Sequence, residues 1–411
     1  MIYFFFWIWF IWKEEIGHVR ASRDKVGLFA TRTYLSYSKK VLKDKLENNP
    51  YTFLQIINPE FEKNKKIQTK KNYNLIKEKY LEFLNDKIIS KDKKSSFYIY
   101  QLTEKNVNYT GIIGATSSQE YLDGTIKKHE KTISKREKLF SKYLSSTGFN
   151  ADPVLLTYKS NKEIQKIIST TQKGRAEYEF TTSDKISHKL WVISSKEEIQ
   201  NISKKFESIK SLYIADGHHR SASSARLNTS KNSNYFMSML IDEEQLNVFS
   251  FNRVIKNTIN INEIDLINKL DEVFVVKKVR KIEFISDVKN EILLITKSNS
   301  YSLTPKKGSY NDDLLSILPT SILSNNILKP IFKMDDNSKE INYISGKISN
   351  NEIIRIVNES KNSLAFILKP TNFNDIKEIS DNSLVLPPKS TYIEPKLRSG
   401  ITMFELDKNE P

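Results

Sequence analysis

"YIADGHHRSASS", residues 213–224, sets two adjacent histidines between a glycine and an arginine, with an aspartate just before them. The chain has five histidines in 411 residues, and two of them share this turn. "SLYIA" (211–215) has the apolar pattern of a buried strand, and "HRSASSARL" (219–227) combines small residues with helical propensity. Asp216 and Gly217 therefore fall at a strand-to-helix turn. Aspartate is a favoured N-cap, and glycine lets the backbone turn tightly. In the plainest reading Asp216 caps the helix, and His218 and His219 lie in its first turn.

Metal binding fits this stretch poorly. Consecutive helical residues point about 100° apart, whereas paired helical ligands use i, i+4 spacing. Only one of the two histidines can then join Asp216 and His129 around an ion. Phosphate fits better. The first turn of a helix presents unpaired N–H groups and the positive end of the dipole. Gly217 allows close backbone approach, and Arg220 offers a planar fork for phosphate oxygens. A histidine there can donate to a phosphoryl oxygen or move a proton near neutral pH.

Outward from the turn, "DPVLLTY", "HKLWVI" (188–193) and "NYFMSMLI" (234–241) read as further strands, with helices between them. "SFYIYQLT" and "NYTGIIGATS" read as paired strands, "YTFLQIINP" as a strand, and 72–86 as an amphipathic helix. A charged segment from 126 passes into a helix that stops near Gly148, and residues 38–49 form a short helix. "SLAFILKP" (363–370) reads as a strand before a short helix and a proline-punctuated loop. The expected organisation is an atypical segment over 1–18 and a phosphate-binding core over 19–241. An accessory α/β region over 242–360 and a C-terminal strand and loop over 361–411, returning to the core, complete it.

The 38% hydrophobic content is low but ordinary for a chain rich in Lys, Asn and Ser, and apolar runs recur throughout, which argues against wholesale disorder. Lys+Arg 65 against Asp+Glu 49 gives +16, mostly from lysine runs scattered along the chain. That pattern describes a solvated surface or one that attracts anions. No basic stripe alternates with aromatics and no zinc-finger or RNA-binding pattern occurs, so nucleic acid is not the expected partner. The absence of cysteine excludes disulfides, thiolate nucleophiles and iron–sulfur clusters. It fits a reducing compartment, and the expected location is cytoplasmic. "MIYFFFWIWFIW" (1–12) is too short to span a bilayer, which takes about 20 residues. It lacks the basic start and cleavage site of a signal peptide. A buried strand, a poor anchor and a wrongly chosen start remain as its readings, and a membrane partner is not expected.

Three other clusters are candidates. "KKHEKT" (127–132) sets His129 beside Glu130; "RASRDK" (20–25) offers Arg20, Arg23 and Lys25 to an anion. "LPPKSTYIEPKLRSG" (386–400) holds Lys389, Ser390, Thr391 and Tyr392 between proline-fixed turns. Each also reads as ordinary surface.

Taken in order, "ASRDKVGLFATR", "NPYTFLQIINPEF", "IKKHEKTISKREKLF", "GFNADPVLLTY", "HKLWVI", "YIADGHHRSASS" and "LPPKSTYIEPKLRSG" resemble the family named domain of unknown function 1015, over about residues 19–405. The family's usual start is replaced here by "MIYFFFWIWFIWKEEIGH". The Gly-His-His-Arg turn is similar to the Gly-x-x-Arg turn of the ParB/sulfiredoxin superfamily, which grips nucleotide phosphates. That likeness implies an α+β, ParB/sulfiredoxin-like mixed sheet with surrounding helices, followed by a less defined α/β region. Sulfiredoxin chemistry needs a cysteine that this chain lacks, and the helix-turn-helix of the partition proteins is not found. What the resemblance leaves is phosphoryl transfer like that of the free-serine kinases, which convert serine and ADP to O-phosphoserine and AMP.

The expectation is thus an enzyme acting on serine or O-phosphoserine, as a kinase or in the reverse or hydrolytic direction. Asp216, Gly217 and Arg220 would hold phosphates, and His218, His219, Glu130 and His129 would move protons. Arg20, Arg23, Lys389, Ser390 and Thr391 would bind substrate. Mg2+ on Asp216 or Glu130 and a nucleotide such as ADP or AMP are the expected cofactors. The alternative is a nucleotide- or phosphometabolite-binding regulator without turnover.

Overall fold

The computed structural model describes residues 18–33, 36–58, 70–231, 234–285 and 288–406. The apolar stretch 1–12 lies outside them. The described residues are of mixed α+β class and fall into two compact units. The first lies within 1–128, 132–246 and 395–411, and the second within 129–131 and 247–394.

The first unit is built on an eight-stranded mixed sheet. Its strand order is Ile126–Lys127, Leu212–Asp216, Val154–Tyr158, Tyr235–Asp242, Val107–Ser117, Phe97–Glu104, Ser187–Ile193 and Tyr178–Thr181. Phe97–Glu104 and Val107–Ser117 form a hairpin whose two-residue turn, Lys105-Asn106, has φ of 48° and 66°. Both values lie in the left-handed region, as a primed turn matching the strand twist requires. Ile99, Ile112, Leu156 and Leu240 pack with Ile164 and Ile168 of the helix Lys162–Thr171 and with Ile202 and Phe206 of Lys196–Phe206. Tyr98 and Tyr100, which alternate with Ile99 along the strand, are buried as well, so both faces of the sheet are covered. This explains why Tyr235–Asp242 reads as one apolar run. Each fully buried aliphatic side chain contributes about 1.5–3 kcal/mol. A four-stranded antiparallel sheet, ordered Ile89–Lys91, His18–Ala21, Thr402–Glu405 and Phe149–Asn150, belongs to the same unit.

The second unit holds a six-stranded antiparallel sheet, ordered Phe274–Val279, Ser300–Pro305, Ile292–Ile295, Ser363–Leu368, Phe251–Lys256 and Ile341–Ser345. Ile292 and Leu294 join one core with Leu270, and Leu293 and Ile295 join another with Ile353 and Val357. Period-two alternation thus assigns successive residues of one strand to opposite faces.

One expectation of secondary structure is overturned. "YTFLQIINP" is not a strand; Phe53–Ile57 is a short helix. The Thr52 side chain accepts from the Leu54 N–H at its start, and the Asn58 N–H closes its last turn on Leu54 O. Phe53, Leu54 and Ile56 are all buried, a grouping that one helical face provides and strict alternation does not. Burial and the cap outweigh β-branched propensity here.

Candidate functional site

The strand Leu212–Asp216 pairs antiparallel with Val154–Tyr158, and the register shifts between Ile214 and Asp216. That irregularity re-aims the last residue of the strand. Gly217 follows with φ +107°, and the helix His218–Lys231 begins at the next residue. A Cβ on Gly217 would stand 3.0 Å from Arg220 Nη2. Both the dihedral and the crowding demand glycine. Gly217→Ala is expected to cost about 1–3 kcal/mol of stability, read from the midpoint of urea unfolding.

The aspartate does not cap the helix. Its carboxylate accepts from Arg220 Nη2 at 2.5 Å through one oxygen and from Lys396 Nζ at 2.5 Å through the other. Arg220 Nη1 donates to Pro153 O at 2.5 Å, which ties the turn to the neighbouring strand. Burial alone would raise the pKa of Asp216, but Lys396 and Arg220 prevail and hold it at about 2. Two cations around one carboxylate leave an excess positive charge at the helix N-terminus, where the dipole adds to it.

The helix is held close to its neighbours because its inner residues are small. Ser221, Ala222, Ser223, Ser224 and Ala225 are buried, and the helices Ser118–Leu122 and Ser134–Thr147 pack on it. Ser221 donates to His218 O and Ser223 to His219 O, so their hydroxyls are satisfied within the helix. His218 is buried and lies near enough to Asp216 to favour the ionised carboxylate. His219 is half-buried, and its Nδ1 is buried without a hydrogen-bond partner among the described residues. Burial first, then the positive charge of Arg136, pushes the His219 pKa below that of a free imidazole, with Glu137 opposing. A neutral histidine with an unpaired ring nitrogen is a proton acceptor near pH 7.

The other candidates are distributed differently. Arg20 is taken up by Asp92, with Nε and Nη2 at 2.7–2.9 Å, and lies over the rings of Tyr98 and Tyr178. Arg23 is exposed in the turn after the first described strand. His129, Glu130, Lys389, Ser390 and Thr391 belong to the second unit. There the His129 carbonyl accepts from Leu386 N–H, and Ser390 donates within its own loop to Pro387 O. Among the described residues no three His, Asp or Glu side chains gather as a metal set. Both oxygens of Asp216 face cations, so it does not fit as a magnesium ligand in this arrangement.

Sequence reading missed Lys396, Arg136 and Glu137. Lys396 lay inside a quoted motif, two residues after Glu394, but nothing local tied it to a carboxylate 180 positions away. Arg136 and Glu137 looked like one more charged helix face.

No helix among the described residues is long and apolar enough to cross a membrane. No curated protein sequence matches this chain. Among solved structures, it is similar to a variant of a free serine kinase in complex with AMP, at 14% identity and TM-score 0.38, covering 73% of this chain and 94% of that one. It is similar also to a conserved hypothetical protein from Pyrococcus furiosus, at 14% identity and TM-score 0.37 over 70% of this chain and 95% of the other. A third is SbnI from Staphylococcus aureus, truncated at its C-terminus, at 10% identity and TM-score 0.36, covering 70% and 87%. Residues 16–338 match the family model described as "Protein of unknown function (DUF1015)", and the chain belongs to that family.

Proposed function

We propose that this protein transfers a phosphoryl group between a nucleoside diphosphate and the hydroxyl of serine. The observation that carries the reading is the Asp216–Arg220 turn. A glycine in a conformation closed to other residues opens a 14-residue helix at a strand end, with Arg220 and Lys396 on either side of one carboxylate. In an α-helix the first amides have no intrahelical acceptor, and they point at whatever sits before the helix. Phosphate oxygens there meet amides, a guanidinium and an ammonium together. Phosphoryl transfer is mainly positioning and charge stabilisation, so this set supplies its main requirement. The likeness of the turn to the Gly-x-x-Arg turn of the ParB/sulfiredoxin superfamily supports a nucleotide as the phosphate source, and its serine kinases suggest serine as acceptor.

In the forward direction, the serine Oγ–P bond forms as the bond from the β-phosphorus to its bridging oxygen breaks. AMP leaves with that oxygen, and the serine hydroxyl proton passes to His219. His219 is suited to this because it is half-buried beside the turn and burial lowers its pKa, which favours the unprotonated imidazole. His218 is buried at the first position of the helix. Asp216 positions Arg220 and Lys396, and no step is routed through a metal ion on the protein.

Phosphorus NMR of the full chain tests the reading, with serine and ADP in one sample and O-phosphoserine and AMP in the other, both with magnesium in the buffer. Phosphate should move between nucleotide and serine in at least one of them. Unchanged spectra in both would overturn the assignment. His219→Ala is expected to lose turnover but retain stabilisation by nucleotide in a thermal melt. Undiminished turnover would remove His219 as the base.

A further inference from the structure

The first unit also holds a cavity with a cationic lining. A cavity of about 660 Å³ opens between the helices Val26–Phe29 and Lys39–Asn48 and the loop after the strand Tyr178–Thr181. That volume is within the range of small-molecule pockets. Its charged lining residues are Arg32, Lys45 and Arg398 against Asp44 and Asp184, three cations less two carboxylates, which leaves +1. None of Asp216, Gly217, His218, His219, Arg220 or Lys396 lines it.

The guanidinium of Arg398 is the centre of this site. Its side chain is 6% exposed, yet among the described residues it donates only through Nη2, to Asp184 and Thr182. Nε and Nη1 make no hydrogen bond to a described residue. Arg32, 48% exposed at the rim, donates to the same Asp184 through Nε at 3.0 Å and Nη2. Burial of Asp184 is outweighed by Thr182, Arg398 and Arg32, which hold its carboxyl well below the usual range. It remains an anion, and two arginines share it. The acid side of Asp184 is saturated, so an ammonium entering here meets no free carboxylate of that residue. Hydroxyls are plentiful instead: Thr31 and Tyr37 are hydrogen-bonded to each other at 2.9 Å in the wall, and Ser38, Thr52 and Ser183 also line it.

We propose that this cavity binds a small hydroxycarboxylate, its carboxylate on Arg398 and Arg32 and its hydroxyls on the Thr31–Tyr37 wall. With Arg398 Nη2 held by Asp184 and Thr182, its Nε and Nη1 each remain as single N–H donors toward a carboxylate, and an excess of one positive charge matches a monoanion. The proposal stands apart from the phosphoryl-transfer reading. One link exists between the two places: Lys396 at the turn and Arg398 in the cavity wall are two residues apart, which an extended chain spans in about 7 Å.

Calorimetric titration of the full chain with D-glycerate tests this, with glycerol and inorganic phosphate as comparators. Glycerate should bind at millimolar concentration, and glycerol should not. Arg398→Lys keeps the charge beside Asp184 but removes the planar fork, and should weaken glycerate about ten- to a hundredfold. Arg32→Gln, at the exposed rim where folding is not at risk, should weaken it about fivefold or more. The proposal is overturned if wild-type protein takes up no glycerate. It is overturned as well if glycerol or phosphate binds as strongly, or if both variants bind glycerate as the wild type does. Phosphoryl transfer is read separately by phosphorus NMR, so failure of one reading is distinguishable from failure of the other.

Discussion

Arg220→Gln is expected to slow phosphoryl transfer by about a hundred- to a thousandfold, the usual loss when one preorganised donor to a developing anion is removed. Arg220 does three things at once. It neutralises charge at the helix N-terminus, grips Asp216 through Nη2, and ties the turn to Pro153 O through Nη1. Glutamine keeps much of the stem and can reach only one of these partners. Nucleotide affinity should fall with the rate, because the guanidinium meets phosphate in the ground state also. A stability change should accompany it. The carboxylate of Asp216 has a folded pKa near 2, below that of a free aspartate, so its contribution is present above about pH 4 and fades as the pH falls through 2. With Lys396 as its remaining partner the depression shrinks, and the acid-unfolding midpoint should move upward. The loss at neutral pH is about 1 kcal/mol, since the pair is partly exposed to solvent that screens it. Turnover within tenfold of wild type would remove Arg220 from the phosphate site.

Glu120→Gln should stabilise the protein at pH 7 by about 3 kcal/mol. Glu120 lies in the helix Ser118–Leu122, is 5% exposed, and neither carboxyl oxygen has a hydrogen-bond partner among the described residues. Burial, with a lesser push from Asp123, raises its pKa to about 8. The unfolded chain ionises this group near pH 4.5, while the folded one keeps its proton until about 8. Between those limits the folded state binds more protons, so stability falls as pH rises, and the full penalty stands above 8. Glutamine does not titrate and removes that slope. Urea unfolding at pH 4.5, 7 and 8 should show the variant gaining on the wild type with each step, from no difference at the first. A wild-type stability that is flat over this interval would refute a protonated Glu120. The helix carrying Glu120 packs on the helix His218–Lys231.

Several features of the fold were legible because they are local. The hairpin of Phe97–Glu104 and Val107–Ser117 shows in its alternation, and the end of the helix Ser134–Thr147 shows in Gly148, whose φ of +79° closes the cap on Leu144 O. "YIADGHHR" announced a strand, a tight turn and a helix, and that is what those residues form. Phe53–Ile57 misled because β-branched and aromatic residues describe a buried strand and a buried helical face equally well over five positions.

Side-chain partners were another matter. Asp216 looked like an N-cap, the local use of an aspartate before a helix, and instead bridges Arg220 and a lysine near the C-terminus. Arg20 looked available to an anion and is held by Asp92, 72 residues on. Nothing in "SSQEYL" (117–122) signals that a packed helix will bury Glu120. By itself the sequence determined the strand–turn–helix at 213–224, the need for glycine at 217 and the exclusion of cysteine chemistry. Those follow from backbone sterics and residue chemistry, which act within a few positions. Only the tertiary structure decided which charge meets which, from Lys396 on Asp216 to the two arginines on Asp184. Such pairs form between segments more than a hundred residues apart, and their strength comes from burial that the folded chain alone creates.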